Sequence, residues 1–166
     1  MPQKVDRAGP RRIPAMESQR FPTTPSSRPN GGMRVDLPFD PGVRLGERDA
    51  YHVVGTIGGN RFRGPLKPGA PWSVEFGPTW CSDPGFAPGD EVLVEIALEG
   101  PQSMTMGRDV AEAFRAEPEA ARFFDSMPTF YRNNVARAIA AAKRPETRAK
   151  RISEAVARAK AGQREA

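Results

Sequence analysis

Residues 130–162, FYRNNVARAIAAAKRPETRAKRISEAVARAKAG, constrain the fold more than any other stretch, because two helical periods meet there at a proline. Tyr131, Val135, Ala138, Ile139 and Ala142 recur at helical spacing and predict one amphipathic helix. Pro145 ends it. Proline is tolerated as a first helical residue, and Glu146 beside it suits the positive end of a helix, so a second helix is predicted to start there and to stop at Gly162. On that helix Ile152, Ala155, Val156 and Ala159 form the apolar stripe, and a projection at about 100° per residue puts Arg148 within it. An unpaired buried charge costs about 3–5 kcal/mol, so Arg148 is predicted to be held by a carboxylate or by backbone carbonyls. Two readings of the helix follow: a solvated basic helix with one structural arginine, or an anion or nucleic-acid surface carried by Arg144, Arg148, Lys150 and Arg151.

Upstream the period shortens to that of strands. Phe21 to Thr24 is predicted as an edge strand, because Pro22 and Pro25 remove donors that only an edge can spare. Asn30-Gly31-Gly32 supplies a tight turn, which is expected to fold that strand against Met33–Leu37. Phe39 to Gly46 reads as a loop. Tyr51 to Ile57 is β-branched and aromatic enough for a central strand, and Gly58-Gly59-Asn60 turns it back into Arg61–Leu66. Trp72, Val74 and Phe76 alternate with Ser73 and Glu75. After an irregular stretch from Pro78 to Phe86, Glu91–Glu99 sets Val92, Val94, Ile96 and Leu98 on one face and Glu91, Glu95 and Glu99 on the other. Arg108–Arg115 and Pro118–Asp125 read as short helices.

Short strands at nearly regular spacing, followed by helices, predict an α+β fold: a small antiparallel β-barrel with a C-terminal bundle of short helices. The corresponding division is a Pro/Arg-rich tail expected to be disordered at residues 1–19, a barrel at 20–101 and a helical region at 102–166.

The run AKRPETRAKRI from Ala142 to Ile152, preceded by FYRNN and followed by a helix ending in glycine, resembles the C-terminal helical region of the YdeI/OmpD-associated proteins, also called bacteriocin-protection proteins. VGTIGGNRFRG and PGDEVLVEIALE resemble the skeleton of the small β-barrel of unknown function that often precedes that region. The resemblance implies a barrel of the double-split kind and a non-catalytic accessory or binding protein. The chain departs from the family pattern in the prolines before Asn30, in Glu99-Gly100-Pro101 where an aspartate is common, and in Ala138 where tryptophan is frequent.

The net charge of +5 is unevenly spread. Residues 1–41 hold seven Lys and Arg against four Asp and Glu, residues 42–127 eight against 13, and residues 128–166 ten against three. Basic ends on an acidic middle point either to an anionic partner such as nucleic acid or to helices docked on the body. The N-terminal sequence lacks the apolar core of a secretory signal, no apolar run is long enough for a membrane helix, and Cys81 is the only cysteine, so a cytoplasmic location is expected.

Candidate chemistry is sparse. His52 is the one imidazole, and a nucleophile site would need it beside Cys81 or a serine. There is no nucleophile elbow, phosphate loop or metal-ligand cluster in the sequence, so no cofactor is expected. The three glutamates read as a solvated face or as the surface that meets the basic helices, and Arg61 and Arg63 are the barrel's candidate anion contacts. A nucleic-acid-binding regulator using the basic helices is the alternative to the accessory-protein reading, and a small-molecule enzyme has least support. Partner and oligomeric state are not legible in the sequence.

Overall fold

The computed structural model describes residues 18–164; positions 1–17 of the predicted tail lie outside the described residues. Seven strands and five helices follow in order: β1 (Gln19–Thr23), β2 (Ser26–Ser27), β3 (Met33–Asp36), α1 (Pro41–Leu45), β4 (His52–Ile57), β5 (Asn60–Pro65), β6 (Ser73–Phe76), β7 (Val92–Leu98), α2 (Arg108–Arg115), α3 (Pro118–Ser126), α4 (Thr129–Ala140) and α5 (Pro145–Lys160). The architecture is α+β, two antiparallel sheets followed by short helices, as the sequence predicts.

One sheet has the order β1-β7-β4-β5 and the other β2-β3-β6. Their inner faces share one core, with Phe21, Met33, Val35, Ile57, Phe62, Val74, Phe76, Val94 and Ile96 all buried. These are the alternate apolar positions of each strand, so the period-2 pattern is what places them there. Gly58 and Gly59 have φ of 54° and 83°, the left-handed pair that a two-residue hairpin turn needs between β4 and β5. Gly55 serves a different purpose: a Cβ there would sit 1.9 Å from the Glu95 carbonyl oxygen, so β4 and β7 approach this closely only because the side chain is absent.

Two strand-level expectations are corrected. The turn at Asn30 joins β3 to the two-residue β2, not to the strand at Phe21; β1 pairs instead with β7, where Phe21 stands opposite Val94. Burial of that pair decides the choice, because both side chains then enter the core. The stretch Phe39–Gly46 also contains α1. The Asp40 carboxylate accepts hydrogen bonds from the N–H groups of Gly42 (2.7 Å) and Val43 (3.4 Å), Pro41 occupies the first turn, and Leu45 is buried.

The helices build a second core from Val110, Phe114, Ala120, Phe124, Met127, Ile139, Ile152, Ala155 and Ala159. Gly162, with φ of 71°, ends the last helix where the sequence places its stop. The stripe of α4 differs from its periodicity: Ala138 is exposed, and Arg132 is buried at 1% exposure beside Ile139.

Candidate functional site

The sheets and the helices meet around two buried arginines. Arg132 on α4 donates to the carbonyl oxygens of Met127 (2.9 Å), Glu99 (2.7 Å) and Pro101 (2.6 Å) and to Thr129 Oγ1 (3.1 Å). It therefore ties the end of β7 to the α3–α4 corner. Glu99 is shared among several groups. Its side chain accepts from Thr129 (2.8 Å) and from Arg63 Nε (2.7 Å), and its N–H donates to the His52 carbonyl at 2.8 Å. The second anchor is Arg48, which reaches the Leu45 and Gly46 carbonyls and pairs with Asp125 at 3.4 Å. Asp125 accepts in turn from the Ser103 N–H (2.7 Å) and hydroxyl (2.8 Å). The Arg122–Asp49 pair at 2.8 Å closes the same seam at the surface.

The six predicted cationic contacts are not gathered into one place. Arg148 makes a two-point contact with Asp109, Nε to Oδ2 at 2.6 Å and Nη2 to Oδ1 at 2.8 Å. A carboxylate thus holds it, as its position on the stripe predicts, although a third of the side chain remains exposed. That hydrogen-bonded guanidinium lowers the Asp109 pKa to about 2. Arg151 donates to the Ala138 carbonyl at 2.5 Å, Lys150 stands 3.9 Å from Glu154, and Arg63 is paired with Glu99. Arg144 and Arg61 are exposed and form no ion pair among the described residues. Arg61 and Arg63 lie on β5 in the sheet body, whereas the other four are in or beside α5.

A concavity of about 660 Å³ on the helical region runs between α2 and α5. Ala113, Ala149, Ile152, Val156 and Ala157 make its apolar surface. Arg148–Asp109 stands at one end, and Lys160–Glu117, at 3.1 Å, at the other. Small side chains keep the groove open, and the two ion pairs turn cations of the basic end back onto carboxylates of the acidic middle.

His52 and Cys81 are not brought together. His52 lies at the start of β4 opposite Pro65, while Trp80, next to Cys81, bonds Arg61 at the far end of the same hairpin. Four residues of strand separate those levels, about 13 Å. Burial lowers the His52 pKa, with the nearby Arg132 charge acting in the same direction. Burial raises that of the Cys81 thiol. Of the three strand glutamates, Glu95 pairs with Arg20 and Glu99 meets α4, while Glu91 is exposed.

Sequence reasoning missed Arg132, Arg48 and Asp125. For Arg132 a signal existed: it stands three residues before Val135 and seven before Ile139, on the buried side of the helix. Arg48 and Asp125 carry no such signal, since their pairing spans two regions of the chain. Among the described residues no helix is long and apolar enough to cross a membrane, and no group of three His, Cys, Asp or Glu side chains is placed to hold a metal ion.

No curated protein matches this chain. Residues 103–162, covering α2 through α5 and the glycine stop, match the family described as Bacteriocin-protection, YdeI or OmpD-Associated.

Proposed function

We propose that this chain is a non-catalytic accessory protein of the YdeI/OmpD-associated type, and that it works by binding the apolar face of a partner's amphipathic helix in the α2–α5 groove. The observation that carries this reading is the groove itself, which lies within the matched residues. Its two walls are helices, its surface is apolar, and small residues at 113, 149, 153 and 157 leave room for a third helix. The ion pairs at its ends are 12 residues apart along α5, about 18 Å, the length of a little over three turns of a guest. The family's description speaks of bacteriocin protection, and protection through binding is the form in which it comes to this chain. The single cysteine fits action in the cytoplasm.

A second reading, nucleic-acid binding, has one observation in its favour. Lys143 and Arg144 are exposed at the α4–α5 corner, beside the positive N-terminus of α5. Two titrations separate the readings. Ser153 is replaced by a dye-labelled cysteine in a Cys81→Ser background, and a 16-residue model helix with leucines at i, i+3, i+4 and i+7 is added. Saturable blue-shifted emission, lost in Ala157→Glu, supports the groove. An unchanged spectrum up to millimolar peptide ends that reading. Anisotropy of labelled duplex DNA and single-stranded RNA is then measured against salt. Binding that falls steeply with salt and weakens when Arg144, Lys150 and Arg151 become alanine would transfer the function to the basic corner.

A further inference from the structure

β5 and β6 are free edges of the two sheets, and they begin to pair. Lys67 and Ser73 exchange both main-chain hydrogen bonds, at 2.7 and 3.1 Å. Continued in register, this antiparallel ladder would set Pro65 opposite Glu75 and Arg63 opposite Gly77. Pro65 has no N–H to give, so the ladder stops after its first rung. Gly77 turns its carbonyl to the Cys81 N–H (3.1 Å), and the Arg61 carbonyl accepts from Trp80 Nε1 (3.3 Å). The sheets therefore stay split by a cleft of about 450 Å³, bounded by the Lys67–Ser73 rung and by Trp80.

Ladder alternation tells which main-chain groups face the cleft. The Leu66 N–H donates to the Tyr51 carbonyl at 2.9 Å, so the even-numbered residues of β5 bond to β4 and Arg63 directs its N–H and C=O outward. The Leu37 N–H donates to the Trp72 carbonyl at 2.8 Å, so the even-numbered residues of β6 bond to β3 and Glu75 directs its pair into the cleft. Phe62, Val74 and Phe76 line the cleft from the core side, and Trp80 packs on Phe76 with ring centroids 4.4 Å apart. Arg28, Arg63 and Lys67 stand around it; Arg28 is paired with Glu75 at 3.2 Å and Arg63 with Glu99 at 2.7 Å. Lys67 has no ion pair among the described residues.

Unpaired main-chain donors and acceptors on two facing edges, an aromatic floor and a cationic rim define one kind of guest. We infer that the β5–β6 cleft is a strand-docking site for an extended acidic peptide. Its main chain bonds to Arg63 and Glu75, its apolar side chains lodge on Phe76 and Trp80, and its carboxylates meet Lys67 first, with the already paired Arg28 and Arg63 beside it. This goes beyond the α2–α5 reading and shares no residue with that groove.

The test uses the full chain and a pool of labelled eight-residue peptides with glutamate at alternate positions and mixed apolar residues between. Anisotropy is expected to report saturable binding, with amide shifts in the protein centred on Arg63, Gly64, Glu75 and Gly77. The same pool N-methylated at alternate amides, which keeps every charge, is expected to bind at least tenfold more weakly, and Lys67→Glu to weaken the parent pool at low salt. Absence of binding at millimolar peptide overturns the inference. So does binding that N-methylation leaves intact, or amide shifts that map to the helices.

Discussion

Replacing Arg132 by methionine sets two large effects against each other. Arg132 is 1% exposed, and among the described residues no carboxylate lies within salt-bridge distance of its guanidinium; its partners are three carbonyls and a hydroxyl. Removing the charge relieves a desolvation penalty of several kcal/mol, which burial also expresses by lowering the arginine's pKa. Removing the donors leaves acceptors bare. The Glu99 carbonyl keeps the Gln102 side-chain amide at 3.3 Å, but the Pro101 and Met127 carbonyls lose the donor that Arg132 provides. Each orphaned buried acceptor costs about 1–3 kcal/mol, and a hydrogen bond to a charged group contributes about 1.5–3. Methionine roughly fills the volume of the aliphatic stem, so cavity formation adds little. The acceptor loss prevails in this balance, and the expected destabilisation is about 2–4 kcal/mol. With a urea slope of about 2 kcal/mol/M for a domain of this size, the midpoint should fall by about 1–2 M in circular-dichroism titrations. Arg132→Lys, which can satisfy some of these acceptors, should lie between the two. A methionine variant as stable as the parent would refute the reasoning, because it would mean that desolvation of the charge outweighs the carbonyls it serves.

The remaining predictions concern protons. The Asp109 carboxyl should titrate near 2 by carbon NMR, well below its ordinary 3.8, and Arg148→Gln should return it toward that value. Because the folded value is depressed, the stabilisation it represents is present above 3.8 and is lost as pH falls toward 2; a parent titration near 3.8 would mean the pair does not form in solution. His52, whose folded pKa lies below its ordinary 6.5, gives the same sign through a different proton. Below 6.5 the unfolded chain takes up a proton that the folded chain resists, so stability falls with pH from there to the folded value. His52→Asn should remove that part of the loss between pH 7.5 and 5.5 in urea midpoints, and equal losses in both proteins would count against it.

The legible part of the fold is the part set by local pattern. The β4–β5 hairpin, β7 and the two helices around Pro145 could be read because their periods, turns and stops lie within a few residues of one another. β1 was mispaired because a tight turn names its nearest neighbours only, and here the neighbour is a two-residue strand. α1 was hidden in a stretch too short for a period, with only the Asp40-Pro41 start to betray it. In the candidate site, the constraint on Arg148 was legible from its angle on the helix, but the identity of Asp109 was not, since 39 residues separate them. Arg61 and Arg63 drew attention as charges, while the outward main chain of Arg63 matters through a ladder that only the paired strands define.

The Arg132 anchor also bears on where the chain can be cut. A fragment spanning the family match, residues 103–162, retains the guanidinium with Met127 and Thr129 but sheds the Glu99 and Pro101 carbonyls. The complementary fragment keeps those carbonyls without a cation to meet them. Each half would give up to water the hydrogen bonds that the join makes between Arg132 and the end of β7, so the segment defined by sequence similarity is expected to be less stable alone than in the whole chain. Reconstitution of the two pieces in trans, with the guanidinium as the key and the end of β7 as its lock, is the behaviour this join implies.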